Sequence, residues 1–97
     1  MKLRVDPAAL EELMEAEEYV LQEFGVIVTN DFRLKAAAAL EEITQFPKRY
    51  AKTRKNVRKK VLLPYPYSII YEELDYVVRV YAFAHDKQRP GYWRKRL

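Results

Sequence analysis

The sequence predicts an α+β fold in which a helical hairpin packs on one face of a mostly antiparallel sheet. In the first half of the 97-residue chain the apolar side chains recur at helical spacing, whereas the second half is rich in β-branched and aromatic residues. Hydrophobic residues make up 49% of the chain, enough for one modest core. We therefore expect residues 1–97 to form one domain of order β-α-α-β-β-β, followed by a short basic C-terminal tail.

The first two predicted elements are a short strand and a helix. Lys2–Val5 alternates polar and apolar residues, as a strand does. Asp6 is suited to capping the free amides at the start of a helix, Pro7 fits the first helical position, and Gly25 is a suitable C-terminal stop. The apolar stripe predicted for this helix consists of Leu10, Leu13, Met14, Val20, Leu21 and Phe24.

A second helix is predicted to begin near Thr29 or Asn30 and to end at Phe46-Pro47. Only a few residues separate it from the first helix, so the two should form an antiparallel hairpin. A run of alanines would let them approach closely. Its predicted apolar face consists of Phe32, Ala36, Ala39, Leu40 and Ile43.

The second half is predicted to contain three strands and the tail. Pro64 and Pro66 separate the first strand from the second, and a tight turn over residues 73–75 separates the second from the third. Strict alternation in the third strand would put Val80 and Ala82 on one face and Tyr81 and Phe83 on the other. Both faces are apolar, which indicates a central strand. The predicted ranges are Val57–Leu63, Tyr67–Glu73 and Val77–Ala84 for the strands and Arg89–Leu97 for the tail.

Composition excludes several kinds of site. There is no cysteine and only one histidine, so neither a disulfide nor a zinc site of the usual ligands is expected. Two glycines are too few for a glycine-rich phosphate loop, and we expect neither a metal nor a cofactor. Acidic residues interrupt the N-terminus, and no apolar run is long enough to span a bilayer. We expect a cytoplasmic protein that does not act on membranes.

Charge is distributed unevenly along the chain. Residues 1–47 contain 4 basic and 10 acidic side chains, whereas residues 48–97 contain 14 basic and 4 acidic ones. Eight of the basic residues lie in Lys48–Lys60, which has no acidic residue. This asymmetry indicates a surface that meets a polyanion or an acidic partner. The alternative is a solvated basic strand and loop that only aids solubility.

Four segments of the second half resemble one known protein family. They are Phe46-Pro47 followed by VRKK at Val57–Lys60, PYSIIY at Pro66–Tyr71, the valine-rich Val77–Ala84, and the ending that runs from His85 through Arg89-Pro90 to Tyr92-Trp93. In this order and at this spacing they resemble the RelE/ParE superfamily of toxins, especially its ParE-like branch. The order of the preceding strand and helices is also similar.

This resemblance implies a growth-inhibiting toxin of a bacterial type II toxin-antitoxin module, of the kind associated with plasmid stabilization. A cognate antitoxin would be its partner. ParE-like members are associated with poisoning of DNA gyrase, and a non-enzymatic gyrase inhibitor is the favoured expectation. The alternative is a RelE-like endoribonuclease that cuts mRNA on the ribosome. Fold alone does not decide between these targets.

Two sets of candidate site residues follow. RNA cleavage needs a base, an acid and a cation that stabilises the phosphate, and Arg58, His85, Arg89 and Tyr92 are the candidates. Contacts with the target or the antitoxin are expected in the basic segment and the tail. The residues predicted for these contacts are Arg54, Lys55, Arg58, Lys59, Lys60, Arg89, Trp93 and Arg94.

Structural alternatives stand beside both sets. His85 lies at a strand end, where it would alternatively hydrogen-bond backbone and stabilise the tail. Trp93 would alternatively pack on the sheet and anchor the tail. For the tyrosines of the strands, packing in the core is favoured over stacking on bases.

Overall fold

A computed structural model describes residues 1–97 as one five-stranded sheet with a broken helical segment on one face and a C-terminal helical turn on the other. The strand order in the sheet is β1-β5-β4-β3-β2. The elements are β1 (Lys2–Val5), α1 (Pro7–Gln45), β2 (Lys52–Arg54), β3 (Val57–Val61), β4 (Tyr67–Leu74), β5 (Val77–His85) and a 3₁₀ helix (Tyr92–Arg96). The predicted α+β class is confirmed.

The helical segment α1 is a hairpin of two arms, residues 7–24 and 26–45. A straight helix of this length would be about 58 Å long, but the longest dimension of the molecule is 39 Å. The chain reverses at Gly25, whose φ of 85° and ψ of −176° are not helical. Arg33 of the second arm contacts Glu17 of the first at 3.0 Å, which confirms the predicted hairpin. The second arm begins directly after Gly25, earlier than its predicted start near Thr29.

The start of α1 differs from the prediction in one contact. Asp6 precedes the helix, and its backbone carbonyl accepts the first helical hydrogen bond, from Leu10. Its side chain does not cap the helix but accepts two hydrogen bonds from Arg79 of β5, at 2.9 and 3.0 Å. Two hydrogen bonds from a charged guanidinium stabilise a carboxylate more than one from a neutral backbone amide. This explains why the Asp6 side chain binds Arg79 and not the start of the helix.

The sheet is antiparallel except at one edge. β4 lies between β3 and β5, and the first strand, β1, pairs in parallel with β5, so β5 is a central strand as expected. β2 was not predicted. Its three residues are all exposed and carry no apolar alternation, so only backbone pairing with β3 defines it.

A bulge in β5 overturns the predicted strict alternation. Ile70 of β4 pairs with Ala82 and the next residue, Tyr71, pairs with Val80, so Tyr81 is an extra residue. One extra residue exchanges the faces of all the residues that follow it. Phe83 therefore joins Val80 in the core under the hairpin, while Tyr81 and Ala82 both face the opposite side.

The core has two parts, one on each face of the sheet. The larger lies between the hairpin and the sheet and includes the predicted buried face of the second arm, with Phe32 and Ile43 fully buried. The smaller lies between the sheet and the C-terminal tail. Its members are Val57, Ile70, Tyr81, Ala82 and Trp93.

The apolar stripe predicted for the first arm is partly wrong. Val20 is buried and Leu13 is partly buried, as predicted, but the rest of the buried face consists of Ala9 and Ala16, since small side chains allow the arm to lie close to the sheet and to the second arm. Four of the predicted residues are substantially exposed and form an apolar stripe on the outer side of the arm. These are Leu10 (48% exposed), Met14 (62%), Leu21 (39%) and Phe24 (60%).

Candidate functional site

The basic segment is divided between the two faces of the sheet. Arg54 in β2, Lys55 in the following turn and Lys59 in β3 are exposed. None of them takes part in an ion pair of the chain. These three predicted contact residues are therefore free to meet a partner.

Arg58 and Lys60, the other two predicted contact residues of the segment, have partners within the chain. The Arg58 guanidinium donates to the carbonyl of Tyr50 at 2.7 Å and to that of Lys48 at 3.4 Å. The Lys60 ammonium lies 4.6 Å from the centre of the Tyr50 ring and 4.0 Å from a carboxylate oxygen of Glu42. These contacts hold the chain that leads from the helical hairpin into the sheet.

His85 ends β5 and is hydrogen-bonded to the turn that follows. Its Nδ1 accepts a hydrogen bond from the Lys87 backbone N–H at 3.0 Å, and its own backbone N–H donates to the Gln88 side chain at 2.8 Å. The ring packs edge-on against Tyr67, with 5.0 Å between the ring centres. These contacts favour the alternative interpretation of His85, in which it hydrogen-bonds backbone and stabilises the end of the strand.

A cavity of about 330 Å³ lies on the face of the sheet opposite the hairpin. Strands β3, β4 and β5 form its floor, and the tail forms one wall. Three of the four candidate nuclease residues border it. The lining includes Lys59, Ser68, His85, Arg89, Tyr92 and Trp93.

The fourth candidate, Arg58, lies elsewhere. It pairs with Tyr71 of β4, whereas His85 pairs with Tyr67. Tyr67 and Tyr71 are four positions apart in β4, a distance of about 13 Å along the strand. The Arg58 guanidinium also lies on the hairpin side, where it binds the carbonyl of Tyr50. The fold therefore does not bring the four residues into one constellation.

The Tyr92 hydroxyl is already engaged. It donates to a carboxylate oxygen of Glu12 at 2.6 Å. Burial, and then this hydrogen bond to the carboxylate, raise the pKa of Tyr92 well above that of a free tyrosine. A neutral hydroxyl that already serves a structural carboxylate is a weak proton donor for a reaction.

The remaining candidates in the tail have different environments. Trp93 is only 5% exposed and packs against Val57, Ile70 and Tyr81, which favours its anchoring role over direct contact with a partner. Arg89 and Arg94 are exposed.

Two residues that the sequence analysis did not single out hold the tail in place. Arg96 forms a two-pronged ion pair with Glu12 in the first arm, at 2.8 and 3.2 Å. The pair also provides hydrogen-bond partners for two backbone groups of β5. Arg96 donates to the Tyr81 carbonyl, and Glu12 accepts from the Phe83 N–H. One signal was present in the sequence. Glu12 lies three residues after Ala9 and four before Ala16, so it shares their buried helical face.

A second cavity, of about 590 Å³, lies near the tip of the hairpin. It is bordered by Tyr19, Phe24 and Val28 of α1 and by residues 64–66 of the loop between β3 and β4. The Tyr65 hydroxyl of that loop donates to the Asp31 carboxylate at 2.6 Å, which ties the loop to the second arm. The cavity continues the exposed apolar stripe of the first arm through Phe24.

No helix of the molecule combines the length and the apolar character that crossing a membrane requires.

Curated protein sequences yield no significant match. Among solved structures, a chain described as "Chromosomal ParDE TA system from P. aeruginosa" has a similar fold, with a TM-score of 0.76 and 14% sequence identity. That similarity covers 88% of this chain and 95% of the other. Residues 3–90 match the model of a family described as ParE toxin of the type II toxin-antitoxin system parDE. Because the match spans most of its length, the chain belongs to the ParE toxin family of type II toxin-antitoxin systems.

Proposed function

We propose that this toxin inhibits bacterial growth by binding DNA gyrase and not by cleaving RNA. One observation carries the proposal, namely that Arg58 lies apart from His85, Arg89 and Tyr92. The Arg58 guanidinium is bound to two backbone carbonyls on the hairpin side of the sheet. The other three residues border the cavity at the far end of β4, about 13 Å away along that strand, and the His85 ring lies against Tyr67. General acid-base chemistry requires its groups within hydrogen-bonding reach of one reacting centre.

The environments of two cavity residues support the same conclusion. The Tyr92 hydroxyl donates to Glu12, and Nδ1 of His85 accepts from backbone. Proton transfer by Tyr92 would interrupt its hydrogen bond to Glu12, and His85 has only its Nε2 left for such a role. An inhibitor that acts by binding needs no such groups, only a surface that fits its target.

The alternative is a ribosome-dependent endoribonuclease. The shared cavity favours it, because His85, Arg89 and the exposed Lys59 all border a space that can hold a phosphate group. In that mechanism Arg89 would stabilise the phosphate and His85 would transfer a proton through its remaining ring nitrogen.

Gyrase supercoiling and mRNA cleavage, measured in parallel, separate these functions. We expect the purified toxin to inhibit supercoiling by gyrase, and the His85→Gln variant to inhibit it equally. Primer extension on translated mRNA should show no new 5′ ends. Full supercoiling activity at excess toxin, together with new 5′ ends that disappear in His85→Gln, would establish the nuclease instead.

The antitoxin is the second partner, and we place it on the exposed apolar stripe of the first arm. Leu10, Met14, Leu21 and Phe24 are between 39% and 62% exposed, and an apolar surface of this kind marks a protein-binding site. An amphipathic helix with apolar residues at matching spacing would cover it. Acidic residues of the same antitoxin would meet Arg54, Lys55 and Lys59 and speed the encounter.

A further inference from the structure

The cavity between the sheet and the tail contains an unpaired polar group that the proposed function does not use. Ser68 of β4 is 2% exposed, and its hydroxyl oxygen is a buried side-chain polar atom with no hydrogen-bond partner. Buried polar atoms are nearly always paired, because leaving one unpaired costs free energy. Ser68 borders the cavity. An unpaired hydroxyl in the lining of a cavity indicates a ligand that supplies the missing partner.

The charges of the lining indicate the kind of ligand. Lys59 and Arg89 both border the cavity, and neither forms an ion pair within the chain. Thr53 adds a second hydroxyl. Asp86 is the one carboxylate in the lining. Two unpaired cations and two hydroxyl groups outweigh it, and this donor set suits a small oxyanion.

Size limits the ligand further. A volume of about 330 Å³ is at the lower end of the range for small-molecule sites, which begins near 300 Å³. A single phosphate group fits this space. The exposed Lys95 and Arg94 of the tail lie close in sequence to the cavity wall and would attract the rest of a polyanion.

We propose that this cavity binds a phosphate group, with Lys59 and Arg89 as the cationic ligands and the Ser68 hydroxyl as a hydrogen-bond donor. The phosphate comes either from free phosphate or from a nucleic-acid backbone. Binding requires no cleavage of the phosphate, and it does not depend on the identity of the toxin's target.

An NMR titration of the ¹⁵N-labelled chain with sodium phosphate tests this site, with sodium chloride at equal ionic strength as the reference. We expect saturable shifts of the amides of Ser68, Ala84 and Gly91. Lys59→Gln should weaken phosphate binding about tenfold, which is the loss expected for one charge-assisted hydrogen bond. Lys95→Gln removes the same charge outside the cavity and should leave the affinity within about twofold.

Two conservative variants separate binding from folding. Ser68→Ala removes a hydroxyl that has no partner in the chain, so it should leave the unfolding midpoint unchanged and still weaken phosphate binding. Asp86→Asn removes the opposing charge and should strengthen binding.

A single-stranded thymidine pentanucleotide, titrated in the same way, distinguishes the two sources of phosphate. Tighter binding of the pentanucleotide at the same amides assigns the site to a nucleic-acid backbone, and equal or weaker binding assigns it to free phosphate. In the titration with inorganic phosphate, shifts spread over all exposed lysines and arginines, or equal losses in Lys59→Gln and Lys95→Gln, would overturn the proposal.

Discussion

Glu12 and Arg96 form a two-pronged ion pair that joins the first helical arm to the C-terminal helical turn, with N–O distances of 2.8 and 3.2 Å. The two residues are 84 positions apart in sequence. Their side chains are 16% and 25% exposed, so solvent screens the pair only in part. Tyr92 and the backbone N–H of Phe83 donate to the same carboxylate. Glu12 therefore accepts hydrogen bonds from both the tail and β5.

Neutralising this carboxylate should destabilise the protein and loosen the tail. Glu12→Gln leaves the partly buried Arg96 without a counter-charge, and we expect the free energy of unfolding to fall by about 2 kcal/mol. Urea unfolding measures this loss. The fluorescence of Trp93, the only tryptophan, reports on the tail. Glu15→Gln, an exposed position on the same arm, is the matched control and should change stability little. Equal stability of the two variants would contradict a holding role for Glu12.

Stability should decline at alkaline pH, in part because of Tyr65. Burial and the hydrogen bond to Asp31 raise its pKa from 10.0 to about 12. Between these two pH values the phenol stays protonated in the folded state, whereas it loses its proton in the unfolded chain. This contribution is complete below pH 10 and is lost as the pH rises from 10 towards about 12. Unfolding midpoints between pH 8 and pH 11.5 should fall less steeply in Tyr65→Phe. Tyr76→Phe, at a side chain 84% exposed, should behave like the unchanged protein.

Replacing Gly25 with any L-amino acid should destabilise the protein, because the chain reversal there requires a backbone conformation that L-residues avoid. A φ of +85° with an extended ψ is a conformation that essentially only glycine adopts. No atom lies within 4 Å of the place a Cβ would occupy, so a steric clash with neighbours is absent. Gly25→Ala should cost about 1–3 kcal/mol of unfolding free energy. The same position carrying D-alanine, made by chemical synthesis, should retain its stability. Equal destabilisation by both would show that another effect is responsible.

The apolar stripe can be tested with two leucines of nearly equal exposure. Leu21, 39% exposed, lies on the stripe, whereas Leu3, 40% exposed, lies in the edge strand β1. Leu21→Gln should weaken antitoxin binding about tenfold, since it removes apolar area at the proposed contact. Leu3→Gln should change it little. Isothermal titration calorimetry with the antitoxin gives both affinities, and a larger loss in Leu3→Gln would place the contact elsewhere.

The basic edge of the sheet should control the rate of antitoxin association. Lys52 and Arg54 lie in the edge strand β2, and Lys2 and Arg4 have the same spacing in β1 at the opposite edge. Reversing the first pair to glutamate should slow association and flatten its salt dependence, because unlike charges steer the encounter. Reversing the second pair should have a smaller effect. Stopped-flow rates from 50 to 500 mM salt make the comparison. Equal rates for the two variants would remove the steering role of β2.

Arg58 shows why charge reversal in this region must be selective. The basic residues Lys55 and Lys59 near it in sequence are exposed, and the pattern alone gave no reason to treat Arg58 differently. In the fold it binds the carbonyls of Lys48 and Tyr50. Replacing it would disturb the approach to the sheet as well as the charge, so it is left unchanged in these tests.

The amino-acid sequence by itself determined the elements whose signals are local. Helical spacing, Gly25 and Phe46-Pro47 predicted the hairpin, and the β-branched and aromatic segments predicted β3, β4 and β5. The same segments carried the family resemblance, which the match over residues 3–90 confirms. The buried face of the second arm was also predictable, because a helical period fixes which side chains share a face.

Only the tertiary structure decided which residues meet across long distances in sequence. The extra residue Tyr81 moves Phe83 to the opposite face of β5, and β2 exists only through pairing with its neighbour. The path of the tail brings Arg96 to Glu12, and the sheet register separates Arg58 from His85. A periodic pattern specifies the face on which a side chain lies. It does not specify the register or the path of the chain, since these depend on how all the elements pack together.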